Sequence, residues 1–243
     1  MNLFNSQTYI PQLSIDCVIF GYQEKQLKVL ISKLNFKGDF YSLPNGFILQ
    51  TESVDQAANR ILEERTGILN IFLEHYKTFG QADRTNKVYL ESMIEQNKDN
   101  FDKAINLSKK DFEWLTNRFI SLCYYALVDI NKVTPTKTEL DESMEWYNIH
   151  ELPTMNMNHN EMVETALESL RLNLDTNILV LNLLPETFTM KEVQDLYETI
   201  FEKEYARNNF QKKILELNVL ERLEKKFTGA ANKAPYLYKF KKA

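Results

Sequence analysis

Residues 13–20 (LSIDCVIF) and 27–34 (LKVLISKL) are β-rich and partly alternate apolar with polar positions. They predict two strands, joined as a hairpin through the turn-like segment 21–26. The period then changes. Over residues 53–66, Val54, Ala57, Ala58, Ile61 and Arg65 share one face of a helix. Ser53 and Gln56 have capping-box spacing at its start, and Gly67 supplies a left-handed stop. Strand patterns return at 68–76 and 119–128, with a weaker one at 144–149. Between them, residues 85–117 are polar and helix-like, as in an insertion or a lid. The turn Glu151-Leu-Pro-Thr is followed by an amphipathic helix over 160–173, apolar at Met162, Ala166, Leu167 and Leu170, and by a second helix over 176–184.

From Pro185 the pattern describes a separate unit. Thr189 and Glu192 make a second capping box, and Phe188 is placed to staple onto Val193. Val193, Leu196, Tyr197 and Ile200 line that helix. A further helix over 206–217 buries Phe210, Ile214 and Leu217. Two short strand-like runs, 220–225 and 236–240, flank a basic loop at 226–234. Two helices, a short connection and a basic hairpin describe a winged helix-turn-helix. The chain thus divides into residues 1–155 and 156–243.

Composition narrows the class. Of the 243 residues, 44% are apolar and 26% charged, which excludes global disorder and a fibrous chain. No apolar run reaches the roughly 18–20 residues of a membrane span. The N-terminus lacks a signal-peptide pattern. Cys17 and Cys123 lie inside apolar strands, as expected of buried free thiols, and three scattered His give no zinc pattern. These features place the chain in the cytoplasm. The net charge of −5 argues against nucleic acid, but it is unevenly spread. Residues 205–243 hold 10 Lys+Arg and 3 Asp+Glu, whereas the first 204 hold 19 and 31. A basic tail follows an acidic body.

One motif is specific. Residues 46–68 read GFILQTESVDQAANRILEERTGI, in which Gly46, Glu52, Arg60, Leu62, Glu64, Gly67 and Ile68 match the Nudix box in register. The preceding SLPNGF resembles the usual Leu-Pro-Gly-Gly-Phe entry. The resemblance implies an α/β/α sandwich around a mixed sheet, and a box helix whose carboxylates hold Mg²⁺ for hydrolysis of nucleoside diphosphates. The three helix glutamates of the box fall on Ile61, Glu64 and Arg65, so two are replaced, one by a hydrocarbon and one by a cation. The expectation is therefore a catalytically inactive domain that requires no cofactor and does not need Mg²⁺. Arg65 is left to pair with Glu64 or Glu52, or to meet an anionic ligand. Glu52, Arg60 and Glu64 are open to a purely scaffolding role.

Two further stretches, KTFGQADR (77–84) and NRFISLCYYALV (117–128), resemble segments of Nudix-related bacterial transcriptional regulators. So do the entry LPETFT (184–189) and the run NFQKK (209–213), which is typical of the recognition helix in that family. The resemblance covers residues 13–240. It implies an α+β chain, a Nudix sandwich followed by a winged helix-turn-helix. It also implies a homodimeric repressor that binds a pseudo-palindromic operator on double-stranded DNA and responds to a small effector. One branch of the family binds ADP-ribose, and another, with degenerate boxes, responds to L-arabinose. The eroded metal chemistry puts a pentose first here and ADP-ribose second. The expected ligand residues are Phe40, Tyr41, Asn45, Arg65, Asp83 and Arg84. The expected DNA contacts are Arg207, Asn208, Gln211, Lys212 and Lys213 on the helix, with Lys225, Lys226 and Lys233 on the wing. Lys239, Lys241 and Lys242 read as a solvated tail. The main rival is a Mg²⁺-dependent hydrolase of ADP-ribose-type substrates; a third possibility is a winged helix that binds a protein partner.

Overall fold

The computed structural model describes residues 4–69, 71–97, 108–173, 183–226 and 234–241. The expected helix over 176–184 lies almost wholly outside these residues, as do Lys233 and Lys242. The chain begins with a long strand, β1 (Tyr9–Gln23), paired antiparallel with β2 (Gln26–Leu34). The turn is only Glu24–Lys25, both at positive φ (52° and 60°), which is the backbone of a two-residue hairpin. Gly21, expected in this turn, sits inside β1 for another reason. A Cβ there would clash with the Ile130 side chain.

Two short strands escape the hydropathy pattern, β3 (Tyr41–Ser42) and β4 (Asn45–Leu49). The box helix α1 (Val54–Thr66) has the predicted bounds, with both halves of the Ser53/Gln56 capping box formed and Gly67 left-handed at φ 69°. The strand expected over 68–76 begins later, as β5 (Leu73–Phe79). Leu69 is 63% exposed, so its apolarity carried no information about a strand. The insertion holds α2 (Lys87–Gln96) and α3 (Lys109–Thr116). Next come β6 (Ile120–Val128), β7 (Asp141–Asn148) and α4 (His159–Asn173).

Seven strands form one mixed sheet among the described residues, with the path β3-β2-β1-β6-β5; β4 pairs β1 and β7 pairs β2. β1 and β6 run parallel, with Leu13 opposite Ile120 and Gly21 opposite Val128. Alternation along β1 splits the core in two. Ile15, Cys17 and Ile19 pack beneath α1 with Ala57, Ala58, Ile61 and Leu62. Val18 and Phe20 face the other way, toward Met162, Val163, Ala166 and Leu170 of α4. Helix, sheet and helix make the expected sandwich. Cys17 and Cys123 are buried free thiols, and burial raises both above the usual thiol range.

The C-terminal unit begins with β8 (Phe188–Thr189), which pairs with the second wing strand. Then follow α5 (Met190–Phe201), α6 (Arg207–Glu216), β9 (Leu220–Lys225) and β10 (Tyr236–Phe240). The Thr189/Glu192 capping box is present, and Phe188 and Val193 are both buried. Both wing strands have the bounds read from the sequence. Leu217, expected in the core, is 39% exposed. The helix stops at Glu216 with Leu217 at its C-cap.

The unit rests directly on the sandwich. Lys25 at the hairpin tip pairs with Asp195 at 3.5 Å, and its carbonyl accepts from Thr199 Oγ1 at 3.3 Å. Phe188, Val193, Leu196 and Ile200 belong to the same apolar core as α4. Among the described residues, no helix is long and apolar enough to cross a membrane.

Candidate functional site

The box loop is held by its own residues. Arg60 Nε and Nη2 donate to Glu52 at 3.0 and 2.6 Å, Nη2 also reaches the Phe47 carbonyl at 2.9 Å, and Leu49 N–H donates to Glu52 Oε1 at 2.8 Å. The Arg60 hydrogen bonds hold the Glu52 carboxyl below its usual range, against a smaller desolvation by burial. Glu64 lies on the exposed side, 3.3 Å from Arg60 Nη1. Ile61 is 1% exposed and packs over Gly46, where an added Cβ would stand 2.8 Å from its Cδ1.

Arg65 pairs with neither Glu64 nor Glu52 among the described residues. Its Nη1 donates to Asp141 Oδ2 at 2.5 Å. Asp141 also accepts from Ser32 Oγ and from the Thr138 amide and hydroxyl. Desolvation pushes the Asp141 carboxyl up, but these hydrogen bonds and the Arg65 charge overcome it, leaving the group below its ordinary value. The guanidinium thus ties the end of α1 to the start of β7. The three metal positions of the box therefore offer a buried hydrocarbon, an exposed carboxylate already facing Arg60, and a paired cation. That set does not fit a hard divalent ion, which needs converging oxygen ligands.

A cavity of about 80 Å³ opens on the other face of the sheet. Ser14, Asp16, Asn45 and Phe47 line its floor; Arg84, Asn86, Leu115 and Phe119 form one wall, and Asn156, Met157 and His159 the other. Its centre is a buried polar cluster. Asp16, 3% exposed, faces His159 Nε2 at 3.3 Å, and Ser14 Oγ lies 3.3 Å from Asp16 Oδ2 and 2.7 Å from Ser121 Oγ. Leu43 N–H donates to His159 Nδ1 at 3.1 Å, so the ring proton sits on Nε2 and points at Asp16. Burial raises the Asp16 carboxyl, but the bonds from His159 and Ser121, with the Arg84 charge, hold it below its usual value. Arg84 is itself buried and anchored through Nε to Asn158 Oδ1 and Nη1 to the Phe119 carbonyl, both at 3.1 Å.

Two lining atoms have no partner among the described residues. Asn86 Oδ1 and Asn156 Oδ1 are buried acceptors without a hydrogen bond. Buried polar atoms are nearly always satisfied, so two orphans in one cavity favour an occupant with donors. Asn86 sits at the cap of α2 without capping it, so the insertion contributes directly to the wall.

Of the six expected ligand residues, Asn45 and Arg84 line this cavity and four do not. Phe40 is buried beneath the insertion with Leu90 and Met93, edge-on to Tyr89 at 5.3 Å. Tyr41 packs against Tyr147, Asp83 is exposed, and Arg65 is held by Asp141. Asp16 and His159 went unseen in the sequence. The available signal was a carboxylate within the apolar run LSIDCVIF, since a buried charge requires a partner.

The second site is a groove of about 360 Å³ between α5, α6 and the wing. Met190, Lys191, Gln194, Arg207, Gln211 and Lys225 line it with Tyr236. Asn208, Gln211 and Lys212 also border an open groove on the outer side of α6. Phe210 and Ile214 are buried on the opposite face, so the exposed stripe is amide and cation, as expected of a helix entering a major groove. Lys213 is exposed beside it. Lys226 points back to Glu192 Oε1 at 3.4 Å. Lys191 and Tyr236 line the groove although the sequence did not point to them, and Arg222 of β9 stacks 4.5 Å over the Tyr236 ring.

Comparison with known proteins agrees with this two-part architecture. Residues 10–166 match the NUDIX domain, and residues 180–240 match the NrtR DNA-binding winged helix domain. The ADPR responsive transcriptional repressor NtrR of Acinetobacter baylyi is 24% identical over 237 residues, covering 95% of this chain and 82% of its own. The crystal structure of Shewanella oneidensis NrtR complexed with a 27mer DNA superposes with a TM-score of 0.70 at 21% identity, over 95% of this chain and 94% of that one. A MutT/nudix family protein from Enterococcus faecalis gives 0.67 at 18% identity, over 95% and 86%. The chain belongs to the Nudix family and carries behind its Nudix domain a DNA-binding winged helix of the NrtR type.

Proposed function

We propose that the protein is a ligand-responsive transcriptional repressor whose Nudix domain senses a small molecule without hydrolysing it. The observation that carries this reading is the joining of two features in one chain. A groove lined by Lys191, Arg207, Gln211 and Lys225 follows a Nudix box whose metal positions are Ile61, an exposed Glu64 and the paired Arg65. The Acinetobacter relative is named as an ADPR responsive repressor, and the Shewanella relative was crystallised on DNA, which supports the same role here. In the proposed mode α6 enters the major groove, Arg207 and Lys212 contact phosphates, and Asn208 and Gln211 meet base edges. A homodimer would set two such helices about 34–36 Å apart on a pseudo-palindromic operator.

Two effector classes remain. The name of the Acinetobacter relative favours ADP-ribose. The cavity favours a pentose such as L-arabinose: it is small against the roughly 300–1,000 Å³ of ordinary ligand sites, and its orphaned atoms are acceptors that seek hydroxyls. Neither effector calls for Mg²⁺.

The test is Arg207→Ala with Lys212→Ala. Each lost phosphate contact flattens the dependence of log K on log salt by about 0.9, so the pair lowers duplex affinity and reduces the slope by nearly two. Unchanged affinity and slope would remove α6 from the interface. A hydrolase would instead turn over ADP-ribose with Mg²⁺ and lose that activity in Glu64→Gln.

A further inference from the structure

Helix α4 spans 15 residues, about 22 Å of rise; one end borders the cavity and the other grips the turn between α5 and α6. At the first end His159 holds Asp16, and the preceding Asn158 anchors Arg84. Asn156, with its orphaned Oδ1, belongs to the same turn; its carbonyl accepts from His159 N–H at 3.1 Å. At the other end Arg171 Nε donates to the Ile200 carbonyl at 2.6 Å, in the last turn of α5, and its Nη2 donates to Glu202 Oε1 at 2.5 Å. Glu202 is the left-handed residue (φ 52°) that ends α5 and opens the turn into α6. Asn173 ties the same end to Glu74 of β5 at 3.0 Å. Between the ends, Met162, Val163, Ala166 and Leu170 lie in one continuous core with Val18 and Phe20 of the sheet and Val193, Leu196 and Ile200 of the C-terminal unit.

We infer that α4 is the element through which occupancy of the Asp16–His159 cavity reaches the DNA-reading helix, with Arg171 as its grip on the α5–α6 turn. The inference rests on the proposed effector role of that cavity. A ligand that donates to Asn156 and Asn86 would bond the turn leading into α4 to the insertion. A packed helix responds as a unit because its neighbours leave no slack. Any displacement arrives at Ile200 and Glu202, where two hydrogen bonds of Arg171 hand it to the turn that orients α6. Coupling through α4 shows as non-additivity between changes at its two ends.

The experiment uses the full chain without ligand or DNA. Hydrogen exchange is read at the Lys203 and Tyr205 amides, which bond the Glu198 carbonyl at 3.2 Å and Glu198 Oε1 at 3.0 Å. His159→Gln, Arg171→Gln and the double variant are compared with wild type. His159→Gln is expected to change exchange at these amides about fivefold or more, and the change should vanish in the Arg171→Gln background. Equal effects in both backgrounds, or no effect in a folded His159→Gln protein, would overturn the inference. If His159→Gln does not fold, Asn158→Ala loosens the same end and is read in the same way. A second readout separates this inference from the effector reading. With L-arabinose and ADP-ribose as probes, Arg171→Gln should keep any ligand-induced thermal shift but lose the ligand-induced change in duplex affinity. If neither probe shifts the wild type, the effector reading fails while the exchange cycle still decides the coupling.

Discussion

Replacing Arg65 by methionine keeps most of the side-chain volume and removes the charge from a nearly dry ion pair. The two side chains are 12% and 2% exposed, so the Asp141 carboxylate cannot turn to water when its partner goes. Breaking one side of such a pair costs about 3–5 kcal/mol, largely as the penalty of the charge left behind. Asp141 would keep Ser32 Oγ and the Thr138 amide and hydroxyl, which places the expected loss near the lower end, about 3 kcal/mol. Urea unfolding followed by circular dichroism measures it as a lower midpoint at unchanged slope. The pH dependence adds a signed check. The folded-state pKa of Asp141 is depressed, so its contribution is complete above the unfolded carboxylate value and is lost as pH falls through the folded one. Without Arg65 the folded pKa rises, and the acid loss starts at higher pH. A cost under about 1 kcal/mol, the range of exposed pairs, would refute the burial argument. So would the same cost in an Asp141→Asn background, because the pair would then not be the cause.

Other outcomes follow from the same geometry. Ile61→Glu should destabilise the fold strongly, since it puts a carboxylate under Gly46 in the α1 core, whereas Ile61→Val should cost only about 0.5–1.5 kcal/mol. In Ile61→Glu with Arg65→Glu, Mg²⁺ should raise the melting temperature; no rise would mean that the box is held in another register. Asp16→Asn should flatten the acid limb of the stability profile below about pH 4, because the depressed Asp16 group no longer takes up a proton there. Gly21→Ala should cost about 1–3 kcal/mol by overpacking against Ile130, and Ile130→Ala should relieve part of it in thermal melts.

Much of this architecture is written in local patterns. The capping boxes at Ser53 and Thr189 and the periods of α1, α5 and the wing strands are set by neighbours within four residues, so the sequence displays them. The box spacing likewise identified the fold. What it could not display depends on distant contacts. β3 and β8 are two residues long and exist only because β2 and β10 lie beside them. Phe40 and Tyr41 looked like a cleft mouth, but the insertion covers the first and Tyr147 meets the second. Arg65 was open to several partners, and the true one, Asp141, lies 76 positions away. The cavity assembles Asp16 from β1, Arg84 from the loop before the insertion and His159 from α4, whose meeting only the folded chain reveals.

The most direct measurement of the central claim is binding of the full chain to a duplex selected by wild-type protein from a random-sequence pool. Fluorescence anisotropy at fixed salt should show specific binding at least about a thousandfold tighter than to unrelated duplex. Asn208→Ala with Gln211→Ala should erase most of that ratio while leaving non-specific affinity in place, and L-arabinose or ADP-ribose should release the wild-type protein. A protein that enriches no sequence, or whose duplex binding ignores those two residues and both ligands, would contradict the account.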